Sequence, residues 1–290
     1  MNSQAPSNPS AGSCAANHLH SNWPDATRPS DFTRREASLT KLTAPEGTQT
    51  SSSRATTNLL VSVRSVQEAR IAIASAVEII DLKEPNGGAL APASPEVWDE
   101  VSRLIAPPEH SRLKLSLALG ESETAIELAD RVPPTARFAK AGPSGLGDAT
   151  ELSQLWKQLR ERLPPAVTLV AVAYADSDFA TTIPPEQVMS LASQNGIRHV
   201  LIDTFGKQAG SSVDLLGTAR LESLAIEARK KNIWWALAGS LRLTDAEMLL
   251  RSAAAPNCFA IRGAVCEGDR RGGLAADRLA RWTELLRGRC

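Results

Sequence analysis

From residue 58 to the carboxyl terminus, short runs of Val, Ile, Leu and Ala alternate with longer amphipathic stretches. The short apolar runs are typical of buried strands, and the longer stretches are typical of helices that cover a sheet. The pattern predicts strands at 58–63, 78–83, 112–118, 136–141, 167–173, 197–203, 233–239 and 257–262. It predicts helices at 65–76, 94–105, 121–131, 148–162, 184–195, 212–230, 243–254 and 274–287.

This alternation predicts an α/β fold with a single (β/α)8 barrel over residues 58–290. Eight strand–helix units fit into about 230 residues, close to the ~250 residues typical of that barrel. A doubly wound open sheet is the alternative, because periodicity alone does not show whether a sheet closes. No Gly-x-Gly-x-x-Gly segment follows the first strand, and eight regular units favour the barrel.

Residues 1–57 differ in composition from the rest of the chain. They are rich in Ser, Thr, Pro, Asn and Ala and show no sustained apolar period, which predicts a disordered tail. The tail lacks the apolar core of a secretory signal, although its Arg and Ser content leaves a transit peptide open.

Charge and cysteine usage exclude several classes of protein. The 32 basic and 32 acidic residues cancel, so neither a general polyanion binder nor a nucleic-acid partner is expected. No run approaches the ~18 apolar residues of a membrane span. The four cysteines lack the spacing of a zinc site or a disulfide framework, and with four histidines no metal site is expected. The sequence predicts a soluble cytoplasmic domain and leaves homo-oligomerisation open.

Lysines and aspartates gather at the predicted carboxyl ends of alternate strands, where barrel enzymes place their catalytic groups. They are Asp81 and Lys83 at the end of strand two, Lys140 at the end of strand four, Asp203 at the end of strand six, and Lys207 four residues beyond it. One lysine at a strand end is usually a solvated charge, and an aspartate beside it can merely pair with it. Three lysines at one mouth instead favour Schiff-base chemistry, with an aspartate nearby to move protons.

Three other polar residues in the strands are ambiguous. Lys114 is expected to be partly buried and paired with an acid. Tyr174 fits core packing and proton donation about equally well. His199 lies deeper in its strand than Asp203, which favours a packed histidine over a metal ligand.

Glycines after the last two strands suggest a phosphate site. Gly239 and Ser240 follow strand seven, and Arg262 and Gly263 follow strand eight. Many barrels bind phosphate through loop amides at this place, and glycine allows close approach of the backbone. Together with the lysines, these residues suggest a small phosphorylated carbonyl substrate and an aldolase or isomerase.

The sequence resembles the (5-formylfuran-3-yl)methyl phosphate synthase family over the whole of 58–290. The blocks that match, in family order, are LLVSVRSVQEA at 59–69, IIDLKEPNGGALA at 79–91, FAKAG at 138–142, AYADS at 173–177, LIDTFGKQAGSSVD at 201–214, ALAGSL at 236–241 and IRGAVC at 261–266. The resemblance implies a barrel enzyme that condenses two glyceraldehyde 3-phosphate molecules into a furan aldehyde phosphate, for methanofuran-type cofactors.

The resemblance also implies residue roles. Lys83 matches the family's Schiff-base lysine and Asp81 its partner, while Lys140, Asp203 and Lys207 match further active-site positions. Lys207 is expected to act as general acid and base, held or polarised by Asp203. No metal or cofactor is expected, because a protonated imine already serves as the electron sink. Two alternatives stay open: another Schiff-base aldolase acting on a single sugar phosphate, and a non-catalytic barrel that binds a metabolite.

Overall fold

The central sheet is a closed ring of eight parallel strands. The computed structural model describes residues 57–206 and 210–288. The strands are β1 Asn58–Val63, β2 Ile79–Leu82, β3 Lys114–Glu121, β4 Phe138–Gly142, β5 Thr168–Tyr174, β6 His199–Asp203, β7 Trp234–Leu237 and β8 Cys258–Ile261. Each strand pairs with the next, and β8 pairs with β1. Closure confirms the predicted (β/α)8 barrel and excludes the open sheet.

Within the described residues, eight helices alternate with the strands and surround the ring. They are α1 Val66–Ala74, α2 Pro95–Ile105, α3 Ser122–Ala129, α4 Ala149–Arg162, α5 Pro185–Gln194, α6 Ser212–Lys230, α7 Leu243–Leu250 and α8 Ala276–Arg287. This part of the chain also contains two short 3-10 helices in loops, Pro108–His110 and Gly263–Val265. No helix in the described ranges is long and apolar enough to cross a membrane. Residues 1–56 lie outside these ranges, so the disordered tail stays a prediction.

The pleat of the strands divides their side chains between two cores. Ile80 and Leu82 face outward into the layer between strands and helices, which also contains Trp98 of α2. Ile79 faces the barrel interior, in an apolar cluster with Leu60. Asp81 therefore also faces the interior, since alternate residues of a strand share a face.

Aromatic rings fill the amino-terminal end of the barrel. The ring centroids of Phe138 and His199 are 5.4 Å apart, and those of His199 and Trp234 are 5.5 Å apart. Burial lowers the pKa of His199, and the nearby positive charges of Arg137 and Lys114 lower it further. The histidine is packed among rings, as predicted, and a neutral imidazole is favoured there.

Lys114 lies at the same end, and the prediction for it was wrong. β3 begins at this residue, so the side chain is exposed rather than partly buried. No ion pair of Lys114 occurs among residues 57–206 and 210–288. Lys114 therefore does not contribute to the carboxyl-terminal end of the barrel.

Candidate active site

A cavity of about 580 Å³ opens at the carboxyl-terminal end of the barrel. Its wall contains eight of the nine residues predicted for the site: Asp81, Lys83, Lys140, Asp203, Gly239, Ser240, Arg262 and Gly263. The ninth, Lys207, lies outside the described residues. Leu60, Leu90 and Leu201 supply apolar parts of the wall. The charged side chains and the glycine-containing loops after β7 and β8 therefore meet in one cavity. This cavity lies at the end of the barrel where this fold places catalysis.

Asp81 and Lys140 form a buried ion pair at the base of the cavity. Their exposed fractions are 1% and 3%. Lys140 Nζ donates a hydrogen bond to Asp81 Oδ1, and another to Ser116 Oγ at 2.8 Å. Ser62 Oγ donates to Asp81 Oδ2 at 3.0 Å. Because both charges are paired and hydrogen-bonded, they can be buried without the large cost of an isolated ion.

Barrel register explains why these four polar side chains meet. Ser62 of β1, Asp81 of β2 and Ser116 of β3 are direct partners across the sheet. Lys140 pairs with Ala118, two residues beyond Ser116, and its long side chain reaches back to the Asp81 layer. The network is thus built from one inward position on each of four consecutive strands.

A second pair, Lys83 and Asp203, lies nearer the opening. Lys83 Nζ is 3.7 Å from Asp203 Oδ2, and the lysine side chain is only 10% exposed. Asp203 Oδ1 accepts a hydrogen bond from the Thr204 backbone N–H at 2.7 Å. Lys83 follows the last residue of β2, and its backbone N–H still donates to the Val63 carbonyl at 3.0 Å. The strand ladder therefore fixes the base of this lysine and directs its amine into the cavity.

The observed pairing corrects the expected partnership of Asp81 with Lys83. Side chains that face the interior of a barrel can meet across it, even when their strands are not neighbours in the sheet. Asp81 of β2 pairs in this way with Lys140 of β4, and Lys83 pairs with Asp203 of β6. The expected contact between Asp203 and Lys207 involves a residue outside the described ranges and stays a prediction.

Tyr174 is bound to a carboxylate that the sequence analysis missed. Its hydroxyl donates to Glu121 Oε1 at 2.7 Å, and Glu121 Oε2 accepts from the Ser144 backbone N–H at 2.9 Å. Burial raises the pKa of Tyr174, and the negative charge of Glu121 raises it further. A tyrosine whose pKa is raised in this way is a neutral hydrogen-bond donor and a poor source of protons.

Glu121 was missed because the predicted third strand ended at residue 118. In the structure β3 continues to Glu121, after a register shift between Ala118 and Glu121. Asp176, for which no role was predicted, accepts hydrogen bonds from the backbone N–H groups of Phe205 and Gly206 at 2.8 and 2.7 Å. It thereby holds the first part of the loop after β6.

The loops after β7 and β8 have the backbone features of an anion site. Gly239 and Ser240 have φ values of 88° and 52°, in the left-handed region. A Cβ at Gly239 would lie 2.1 Å from Ser212 Oγ, so only glycine fits there. Gly263 starts a 3-10 helix, whose first N–H groups have no partner within the helix. Among the described residues, the N–H groups of Gly239, Ser240 and Gly263 meet no acceptor.

Arg262 does not fit its predicted role in phosphate binding. Its five N–H donors are all engaged by Glu68 Oε1 and Oε2 and by the carbonyl oxygens of Ser62, Arg270 and Gly272. Glu68 is itself positioned at the start of α1, where its N–H donates to the N-cap residue Ser65. The guanidinium is buried and paired with Glu68, so no N–H donor is left for a phosphate, and the side chain instead holds the loop after β8.

The chain is similar to known proteins over most of its length. Residues 59–283 match the profile of 4-HFC-P synthase. A (5-formylfuran-3-yl)methyl phosphate synthase of Methanosarcina mazei is 26% identical over 220 residues, which cover 73% of this chain and 92% of that protein. The synthase of the same name from Archaeoglobus fulgidus is 26% identical over 235 residues, covering 79% and 99%.

Two solved structures are similar to this chain in fold but not in sequence. Phosphoribosylanthranilate isomerase from Thermotoga maritima has a TM-score of 0.52 at 13% identity, covering 80% of this chain and 99% of that one. KGPDC from Streptococcus mutans has a TM-score of 0.53 at 10% identity, covering 80% and 98%. The family match, by contrast, extends from the first residues of β1 into α8. The chain therefore belongs to the 4-HFC-P synthase family of enzymes.

Proposed function

We propose that this enzyme condenses two glyceraldehyde 3-phosphate molecules into (5-formylfuran-3-yl)methyl phosphate, with loss of one phosphate and two water molecules. The family membership supports the product, and the observation that supports the chemistry is the presence of two buried Lys–Asp pairs in one cavity. Because C–O bonds are broken when water and phosphate leave, the activity is that of a carbon–oxygen lyase. The product would serve the synthesis of a methanofuran-type cofactor.

Lys83 is the proposed nucleophile. Its amine projects into the cavity from the rigid end of β2, with Asp203 3.7 Å away. Attack on a triose carbonyl forms a carbinolamine, which loses water to give a protonated imine. Asp203 is placed to accept the amine proton and to return it to the departing hydroxyl. The imine then stabilises the carbanion that forms the new C–C bond, so the chain's own residues supply the electron sink.

The Asp81–Lys140 pair has a different proposed role. It lies below Lys83, and both of its members are held by serine hydroxyls. A fixed ammonium at this place can stabilise the negative charge that develops on a substrate oxygen, because preorganised donors need no rearrangement during the reaction. Lys207 remains the proposed general acid and base, on the strength of its match to the family.

The phosphate of one triose is proposed to bind the loops after β7 and β8. The N–H groups of Gly239, Ser240 and Gly263 supply hydrogen-bond donors of the kind that bind phosphate elsewhere. Arg262 contributes by holding the loop that contains Gly263. The substrate class that fits the cavity is thus a small phosphorylated aldehyde or ketone.

The proposal is tested by incubating the purified enzyme with glyceraldehyde 3-phosphate and analysing the products by mass spectrometry. We expect (5-formylfuran-3-yl)methyl phosphate and released phosphate in equal amounts. A second sample, supplied with other sugar phosphates, tests the rival aldolase. A six-carbon aldol product without a furan ring, or turnover of a single sugar phosphate alone, would assign that rival activity instead.

A further inference from the structure

Five cationic side chains line the cavity in the described part of the chain, and four of them have a carboxylate partner. The distances are 3.7 Å for Lys83 to Asp203, 2.7 Å for Arg262 to Glu68 and 2.6 Å for Arg242 to Asp214. Lys140 is paired with Asp81. The fifth cation is Arg270, and no carboxylate oxygen within the described ranges lies close enough to form an ion pair with it.

Arg270 is nevertheless half-buried and fixed in place. One of its terminal nitrogens, Nη2, donates to the Gly88 carbonyl at 2.8 Å. Its own carbonyl accepts from Arg262 Nε at 2.7 Å, so the buried Arg262–Glu68 pair holds the backbone beneath it. Burial lowers the pKa of Arg270, and the positive charge of Arg262 acts in the same direction, while Asp203 opposes them. A partly buried cation that makes no contact ion pair is costly, and an anionic ligand would offset that cost.

The backbone of Arg270 lies beside Gly263, where an added Cβ would be 3.5 Å from the Arg270 Cβ, but its side chain points away from the turn at Gly239 and Ser240. Arg270 follows β8 and reaches Gly88 in the loop after β2, so it crosses the end of β1. The turn at Gly239 and Ser240 follows β7, on the other side of β8. Gly88 lies in the loop that begins at Lys83, which places the guanidinium on the side of the cavity from which the proposed nucleophile projects.

We propose that Arg270 binds a second phosphate monoester, distinct from the one held by the backbone amides of Gly239 and Ser240 after β7. The inference rests on the proposed function, because a condensation of two triose phosphates brings two dianionic groups into one cavity. A guanidinium offers planar, paired N–H donors that match two phosphate oxygens. The four N–H groups of Arg270 not used by Gly88 are available for this contact.

The first test counts bound phosphate by equilibrium dialysis with radiolabelled inorganic phosphate. We expect two phosphates per chain for the wild type and one for Arg270→Gln, or a second dissociation constant raised roughly 10- to 100-fold. Arg271→Gln is the matched control, since Arg271 is exposed and pairs with Asp269 in the same loop. It should bind two phosphates. Two phosphates on Arg270→Gln at unchanged affinity, or only one on the wild type, would overturn the inference.

A second measurement needs no variant and so remains decisive if Arg270→Gln does not fold. Phenylglyoxal labels accessible arginines in the wild type, and peptide mass spectrometry locates the label. Saturating inorganic phosphate should protect Arg270 and leave Arg271 reactive, whereas an unprotected Arg270 would contradict the inference.

Product analysis of the same preparations separates the proposed function from the proposed second phosphate site. Protection without furan product removes the proposed function alone, and furan product without protection removes the second phosphate site alone.

Discussion

The two ends of the barrel contain inward-facing side chains from the same strands but use them differently. At the amino-terminal end, Phe138 of β4, His199 of β6 and Trp234 of β7 pack ring against ring. At the carboxyl-terminal end, Lys140 of β4 and Asp203 of β6 take part in buried ion pairs around an open cavity. In β4 the packed ring of Phe138 and the charged Lys140 are two residues apart, and in β6 the ring of His199 and the charged Asp203 are four residues apart.

The difference shows how one barrel separates stability from chemistry. Rings exclude water and need no partner, so the amino-terminal end can be filled without cost to function. Buried charges add little net stability, because desolvation offsets most of their attraction. Their presence at one end therefore points to a use other than stability, and substitutions at the two ends should affect different measurements.

The largest expected difference between the ends concerns two lysines. Lys83→Ala removes the proposed nucleophile and should lower the rate of furan product formation by on the order of 10³-fold or more. Lys114→Ala removes an exposed lysine at the amino-terminal end and should leave the rate within about threefold. Steady-state assays of both variants with glyceraldehyde 3-phosphate make the comparison. Equal losses in the two variants would contradict the assignment of chemistry to one end.

A buried and an exposed ion pair provide the next comparison, in stability. Asp81→Asn leaves Lys140 without its counter-charge and should lower the free energy of unfolding by about 3–5 kcal/mol. The matched control is Asp130→Asn, which breaks an exposed pair with Arg162 and should cost less than about 1 kcal/mol. Urea denaturation measures both. A small loss for Asp81→Asn would mean that the buried network is not held by charge.

A substitution of Tyr174 tests whether this residue donates a proton during the reaction or only stabilises the structure near the cavity. Tyr174→Phe removes the hydrogen bond to Glu121 and should cost about 1–3 kcal/mol of stability, with a rate loss near tenfold. Because burial and Glu121 raise the pKa of Tyr174, the tyrosine stays protonated across the neutral range. The pH–rate profiles of wild type and variant should therefore have the same shape. Loss of an alkaline limb in the variant would instead identify Tyr174 as a titrating acid.

The smallest expected effect lies at the amino-terminal end. The pKa of His199 is lowered below 6.5, so the unfolded chain binds a proton there more readily than the folded chain. Wild-type stability should then fall, relative to His199→Phe, as the pH drops through 6.5 toward the lowered pKa of the folded state, while activity stays the same above pH 7. Thermal denaturation of both proteins across this range measures the difference. A wild type that gains stability on acidification, relative to the variant, would show the opposite shift.

Much of the fold could be predicted because hydrophobic periodicity is local. Eight apolar runs and eight amphipathic stretches gave the correct order of elements, and the pleat of β2 placed Asp81 and Lys83 on one face. The ends of strands were less accurate, as in β3, which continues past Gly120 to Glu121. Local propensity disfavours a strand there, and pairing with β4 outweighs it.

The partners within the site could not be predicted, because they depend on barrel register and on distant loops. Nothing in the segment from Asp81 to Lys83 shows that Asp81 pairs with a lysine 59 residues away. The same reason applies to Arg262, whose carboxylate partner Glu68 lies 194 residues away in the sequence. Arg270 was missed because an arginine in a loop has no local pattern that distinguishes a ligand contact from a solvated charge.

The most direct test of the central claim is borohydride trapping of the enzyme during turnover of glyceraldehyde 3-phosphate, followed by peptide mass spectrometry. If the carboxyl-terminal mouth acts through an imine, a reduced triose adduct should map to Lys83 and be absent from Lys114. Lys83→Ala should lose this adduct while retaining the wild-type fold by circular dichroism. Furan product from wild-type enzyme with no adduct on Lys83 would contradict the proposed role of this lysine.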